Sequence, residues 1–255
     1  MKKDNKAIII TSIISGVVFL IALIAMFSFG SISPTNKITV EGISSIDVTP
    51  DLMTIYFRIE TQGKTSIEAK DTNNEILDNL VAELLKLDFE RSALKTDNFN
   101  IYPNYEWKDN KQTQDGYKAT HSLKLELSSE EFDRASEVID AGVNSGAGIN
   151  YINFELTQEL QNQYKAEALE LASKDAQIKA DAVASGFNKK AGKLVSVQVS
   201  EFRYSPWNVF TTSEPDAGMN YASAENADLA KQATLEISPG EQKVSARVSA
   251  TFKII

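Results

Sequence analysis

The chain has 255 residues, 42% of them hydrophobic, which is enough to bury a core in one large or two small domains. Its formal net charge is −9; the first thirty residues hold three basic and one acidic side chain, so the remainder carries 23 basic against 34 acidic, or −11. A body this acidic argues against phosphate-backbone recognition and against docking on anionic lipid, so no nucleic acid is expected as a partner. The absence of cysteine removes disulfides, zinc–thiolate and iron–sulfur sites, thiol catalysis and a lipidated cysteine anchor.

Residues 1–6 form a basic N-terminus, and residues 7–29, AIIITSIISGVVFLIALIAMFSF, carry no charge. As a helix this run spans roughly 35 Å, enough for a hydrocarbon core of about 30 Å. Lys2, Lys3 and Lys6 precede it, so the positive-inside rule predicts a single pass with the N-terminus in the cytoplasm and the body outside. A cleaved signal peptide, with Ser28 and Gly30 as its small-residue site, is the competing reading; the run exceeds the ~7–15 residues of a signal h-region, which favours an uncleaved anchor. Residues 30–36 then serve as a linker, and 37–255 as one extracytoplasmic domain.

Beyond the linker the apolar period switches to two. Ile38 and Val40 open a strand; Met53, Ile55, Phe57 and Ile59 alternate with polar residues over 52–61. Thr65 and Glu68 form a capping box ahead of a helix over 66–87, whose apolar face is Ile76, Leu77, Leu80, Val81, Leu84 and Leu87. Strands at 98–107 and 117–127 read as an antiparallel hairpin, with Pro103 pushing the first toward a sheet edge. Ser128 and Glu131 open a short helix that ends at VNSGAG, a helix-to-strand turn, and a strand follows over 150–156.

The longest pattern runs from Thr157, a plausible N-cap, to Gly186, placed as a left-handed C-cap. Its expected buried stripe is Tyr164, Ala168, Leu171, Asp175, Ile178 and Ala182, with Ala172, Ala176 and Val183 beside it; a core helix or a helix-to-helix oligomer seam both fit. Strands at 194–203 and 243–254 close the chain around residues 204–240, which have three prolines and no period and read as a long irregular excursion. Trp207, Phe210, Met219 and Tyr221 within it need a cover, either the sheet itself or a partner, and a short linker in its place is expected to leave the fold intact. The order strand–helix–strand–strand occurs twice, so the fold class is α+β: two pseudo-repeated β-α-β-β units in a mixed, mostly antiparallel sheet with helices on one face, preceded by one N-terminal transmembrane helix.

The residues ITVEGISSIDVTPDLMTI, KTDNFNIYPNYEW, DGYKATHSLKLEL, INYINFEL and ISPGEQKVSARVSATFKI, with the helix from Ala166 to Gly186, resemble the SIMPL domain family of YggE-like and periplasmic immunogenic proteins over about residues 38–254. The resemblance implies a secreted or membrane-anchored α+β protein, with some bacterial members linked to oxidative-stress tolerance, and supplies no catalytic residue. Where that family often ends its first helix on glycine, this chain has Asp88.

No constellation in the sequence carries a reaction. His121, the single histidine, lies on the apolar face of its strand with no nucleophile at motif spacing and reads as a half-buried group bonded to backbone. Asp71, Asn73 and Glu75 lack the glycine and terminal glutamate of a calcium loop and read as a solvated helix face. Glu130, Glu131, Asp88 and Glu90 sit at helix ends, where capping and the dipole account for them. No catalytic, cofactor-binding or metal-binding residue is therefore assigned. The reading is a non-enzymatic envelope module that binds a partner or self-assembles; an envelope enzyme with an undetected site is the alternative. Protease added to intact cells or spheroplasts is expected to degrade the body, and survival until the membrane is permeabilised would reverse the orientation.

Overall fold

The alternating and helical periods of the sequence become strands and helices close to where they are expected. The computed structural model describes residues 15–20, 36–108, 111–211, 224–236 and 240–255. Its strands are β1 (Lys37–Val48), β2 (Leu52–Gly63), β3 (Leu94–Lys108), β4 (Lys111–Ser128), β5 (Gly148–Glu155), β6 (Ala191–Arg203), β7 (Trp207–Thr211) and β8 (Gln242–Ile254). Its helices are α1 (Ser66–Lys86), α2 (Ala135–Ser145), α3 (Gln158–Gly186) and α4 (Ala224–Glu236), with 3-10 turns at Arg91–Ala93 and Ser129–Arg134. Two compact units emerge: Ile43–Ala172 with Glu201–Arg247, and Met1–Gly42 with Ser173–Ser200 and Val248–Ile255.

In the first of these the sheet order is β3-β4-β2-β5-β7, every neighbouring pair antiparallel. Met53, Ile55, Phe57 and Ile59 on β2, and Leu123, Leu125 and Leu127 on β4, bury one face against Leu80 and Leu84 of α1, Val138 and Ile139 of α2, and Ala227 and Ala230 of α4. Helices thus cover one face, as expected of an α+β layer. α2 comes closest: a Cβ built at Gly142 would stand 2.6 Å from the Phe57 ring, so only glycine allows this approach.

Thr65 caps α1 by accepting from the Glu68 amide at 3.2 Å, and the Glu68 carboxylate accepts from the Lys64 amide at 2.8 Å. α1 ends with Asp88 in the left-handed region at φ 60°, while the Asp88 and Phe89 amides donate to Leu85 O and Leu84 O. This is a Schellman cap built on aspartate, whose short polar side chain tolerates that conformation better than most. α2 ends the same way at Gly146, φ 92°, so VNSGAG is the helix-to-strand turn that the sequence suggests.

In the second unit the chain contributes to a sheet of order β1-β8-β6. Lys190 and Ile255 exchange both main-chain hydrogen bonds at 2.9 Å, which makes β6 and β8 antiparallel. The Ile254 amide donates to Asn36 O, and the Thr39 and Thr251 hydroxyls meet at 2.9 Å, which makes β1 antiparallel to β8 as well. The buried cluster is small: Ala176, Ala180, Ala250 and Phe252, with Ile38, Val40 and Ala191 against it.

Three expectations change. The single mixed sheet is two antiparallel ones: β5 pairs with β2 while β6 and β8 pair with β1, so the second β-α-β-β repeat is divided between sheets. In α3 the fully buried residues are Ala168, Ala172, Ala176, Ala180 and Ala184, at strict four-residue spacing, and Leu171, Ile178, Ala182 and Val183 from the expected stripe are exposed. Gly186 is not the left-handed cap either; Asn188 is, at φ 53°, with its amide on Ser185 O and that of Lys189 on Ala184 O.

The excursion at 204–240 holds β7 and α4. Trp207, Val209 and Phe210 pack against the main core, Ala227 and Ala230 are buried in it, and the Leu156 amide donates to the Tyr204 hydroxyl at 2.6 Å. Replacing this segment by a linker would strip the core, contrary to the sequence expectation. Met219 and Tyr221 lie outside the described residues, as does the run 7–29 except for the helical residues 15–20. Among the described residues no helix is long and apolar enough to cross a membrane. Leu80→Ala is expected to lower stability by about 2–5 kcal/mol and Phe252→Ala by about 3–5 kcal/mol in chemical denaturation; unmoved midpoints would contradict these core assignments.

Candidate functional site

The residues with chemical potential are employed structurally. His121 on β4 is buried; its Nε2 lies 3.0 Å from Thr96 Oγ1 and its ring meets Phe99 edge-on at 5.0 Å. Its partner is a side-chain hydroxyl, where the sequence reading expected backbone. A bulge in β3 between Thr96 and Asn98 goes with this contact, since it slips the β3 register just beside the Phe99–His121 pair. Burial lowers the His121 pKa, so the ring stays neutral near pH 7.

Asn73 is fully buried, against the expected solvated face, and its amide donates to Ile59 O at 3.3 Å and Thr61 Oγ1 at 3.4 Å, fastening α1 to β2. Asp71 and Glu75 are exposed beside it. Glu131 closes the capping box with Ser128 and also takes Arg134 at 3.0 Å. Glu130 is exposed in the same turn, and the Glu90 carboxylate takes the Ser92 hydroxyl at 2.9 Å. No group of three or more metal-ligating side chains occurs among the described residues.

The face of the five-stranded sheet opposite the helices is polar. Tyr56 and Tyr151 stack at 4.0 Å in its middle, flanked by Lys124 and Lys95 on Glu126 at 2.8 and 2.7 Å, and by Arg58 on Glu60 at 3.1 Å. Burial, and then the Glu155 charge, push the Tyr56 hydroxyl above its usual range. The hydrogen bonds from Lys124 and Lys95 hold the Glu126 carboxyl low. The charged groups here are paired across a pleated surface, where lysine–glutamate pairs offset one another. A separate cleft of about 400 Å³ is lined by Arg203, Ser205, Pro206, Trp207 and Gly240–Lys243.

The unsatisfied surface is apolar and lies on β6 and α3. Ile178 is 67% exposed and Phe187 74%. On β6, Leu194, Val195, Val197 and Val199 are 54%, 40%, 56% and 57% exposed, far above the usual state of such residues in a strand. The sequence reading found this strand but carried no signal for its exposure, because cover is supplied by elements distant in sequence.

The family model described as SIMPL, a protein of unknown function (DUF541), matches residues 38–252. The chain belongs to the SIMPL family. Among SIMPL relatives, the uncharacterized protein YggE of Escherichia coli K12 is 25% identical over 181 residues, covering 71% of this chain and 72% of its own. YggE of Edwardsiella ictaluri is 24% identical over 219 residues, 82% of this chain and 87% of its own. The 26 kDa periplasmic immunogenic protein of Brucella melitensis biotype 1 is 25% identical over 250 residues, 92% and 94% of the two chains. The match takes in all eight strands but for the outermost residues of β1 and β8, and leaves out residues 7–29.

The lowered His121 pKa sets a pH dependence. Unfolding frees the ring to take up a proton below about 6.5, so the buried neutral ring contributes full stability above that pH and loses it as pH falls toward the folded pKa. Relative to His121→Phe, the wild-type chain should lose stability on acidification below that pH, with a slope of at most about 1.4 kcal/mol per pH unit. Parallel stability–pH curves for the two chains would contradict the assignment.

Proposed function

We propose that this SIMPL-family chain is a non-enzymatic module of the cell envelope, held by one N-terminal helix with its body outside the cytoplasm, that acts by associating with another protein surface. The exposed apolar surface of β6 and α3 carries the proposal. Soluble monomers rarely leave neighbouring valines and a leucine uncovered along one strand, and such surfaces ordinarily mark association. The location is supported by the three lysines before an uncharged 23-residue run and by the periplasmic name of the Brucella relative. The absence of enzymatic activity is supported by the structural employment of His121, Glu131 and Asn73, each engaged by neighbours that hold the fold.

The test is hydrodynamic. The full chain, purified in mild detergent at micromolar concentration, should have a detergent-corrected mass by light scattering that is a multiple of its 28.1 kDa, or should retain a stoichiometric envelope protein through purification. A lone monomer at every concentration would sink the reading.

A further inference from the structure

We infer that two copies of this chain join through antiparallel pairing of their β6 strands, centred on Val197. This deepens the association reading above and rests on it.

The geometry of the free edge carries the inference. No described strand lies beyond β6 in the order β1-β8-β6. Because Lys190 and Ile255 form a doubly hydrogen-bonded pair, alternation directs the main-chain groups of Lys193, Val195, Val197 and Val199 away from β8, toward the open edge. The same alternation puts their side chains on the face that Ala191 shares with Ala250 and Phe252, the buried face of the sheet. The unused hydrogen-bonding groups and the uncovered valines thus belong to the same residues.

The other sheet edges are blunted. β3 has Pro103 and two bulges, β7 is five residues long, and β1 carries Lys37, Glu41 and Asp47. Such devices keep edges from pairing with other chains. From Leu194 to Val199 β6 has neither charge nor proline, and the sequence is symmetric in valine about residue 197, V-S-V-Q-V.

Antiparallel self-pairing at that centre sets Val197 on Val197 and Val195 on Val199, the isologous contact of a twofold dimer. A membrane or an unrelated protein has no reason to match this symmetry.

The chain has no cysteine, so single cysteines report the register directly. In the full chain in mild detergent, Val197→Cys is expected to oxidise to a covalent dimer, since a hydrogen-bonded antiparallel pair brings Cα atoms to about 5.5 Å, within disulfide reach. Leu194→Cys, offset from its own copy by about 20 Å along the strands, is expected not to cross-link. Val197→Lys should reduce the particle mass at unchanged thermal melting.

A monomeric wild-type chain overturns both this pairing and self-association. An assembled wild-type chain in which Val197→Cys cross-links no faster than Leu194→Cys overturns the β6 pairing alone and leaves association through another surface standing. If Val197→Lys fails to fold, the cysteine pair still decides.

Discussion

The constraint on which the packing of α3 depends is the use of alanine at every fourth position. Ala168, Ala172, Ala176, Ala180 and Ala184 are all fully buried, and a surface of methyl groups lets main chains approach closely. Close approach shows in the polar contacts: Ser44 Oγ donates to Ala168 O at 2.7 Å, and Lys179 Nζ reaches Glu41 O at 3.1 Å. The consequence is a thin core. An alanine side chain removes little apolar surface from water, so the cluster around Ala176 and Ala180 relies on Phe252 for most of its apolar burial. Burial of that size does not reach the outermost strand, and the valines of β6 stay in solvent.

The larger unit solves the same problem differently. Its central strand β2 is paired on both sides and presents Met53, Ile55, Phe57 and Ile59 to three helices, so large side chains fill the layer, with glycine at close approaches such as Gly142 over Phe57. The polar back of that sheet is neutralised pair by pair, through Lys95, Lys124 and Glu126 and through Arg58 and Glu60. In the smaller unit, by contrast, no described strand lies beyond β6, and its valines are exposed. That contrast within a single chain supports the proposed association through β6 more than the exposure of any single residue does.

Sequence periodicity revealed most of the elements, because a strand or helix that buries one face must repeat at two or near 3.6. Strand division between sheets was not legible: which strand accepts β5 or β8 is decided by packing between segments far apart in the chain. The buried side of α3 was legible in part. The expected set held Ala168, Ala172 and Ala176, which are buried, but it continued to Leu171, Ile178, Ala182 and Val183, whereas the contact follows the four-residue ridge, which rotates steadily around the helix and goes on to Ala180 and Ala184. β7 and α4 escaped notice because they are brief or weakly amphipathic, and their burial is supplied by Phe154 and by α2. Of the candidate site, the strand was visible and its lack of cover was not. Asp88 and Asn188 show the converse, since left-handed caps on residues other than glycine leave only a weak mark in a sequence.

Charge then decides what kind of association an open edge permits. A body at −11 repels its own copies, and the repulsion disfavours any contact that merely brings two acidic surfaces together. An attractive contact between copies must be built where charge is absent or matched, and it must gain from groups that repulsion leaves untouched. The segment from Leu194 to Val199 has no charged residue, four uncovered apolar side chains, and main-chain donors and acceptors aligned along one line. Main-chain pairing is directional and tolerates only certain registers, while valine against valine gains from burial in each of them. The acidic surface therefore acts as a filter that disfavours promiscuous edge pairing, and that filter is lifted along the uncharged strand.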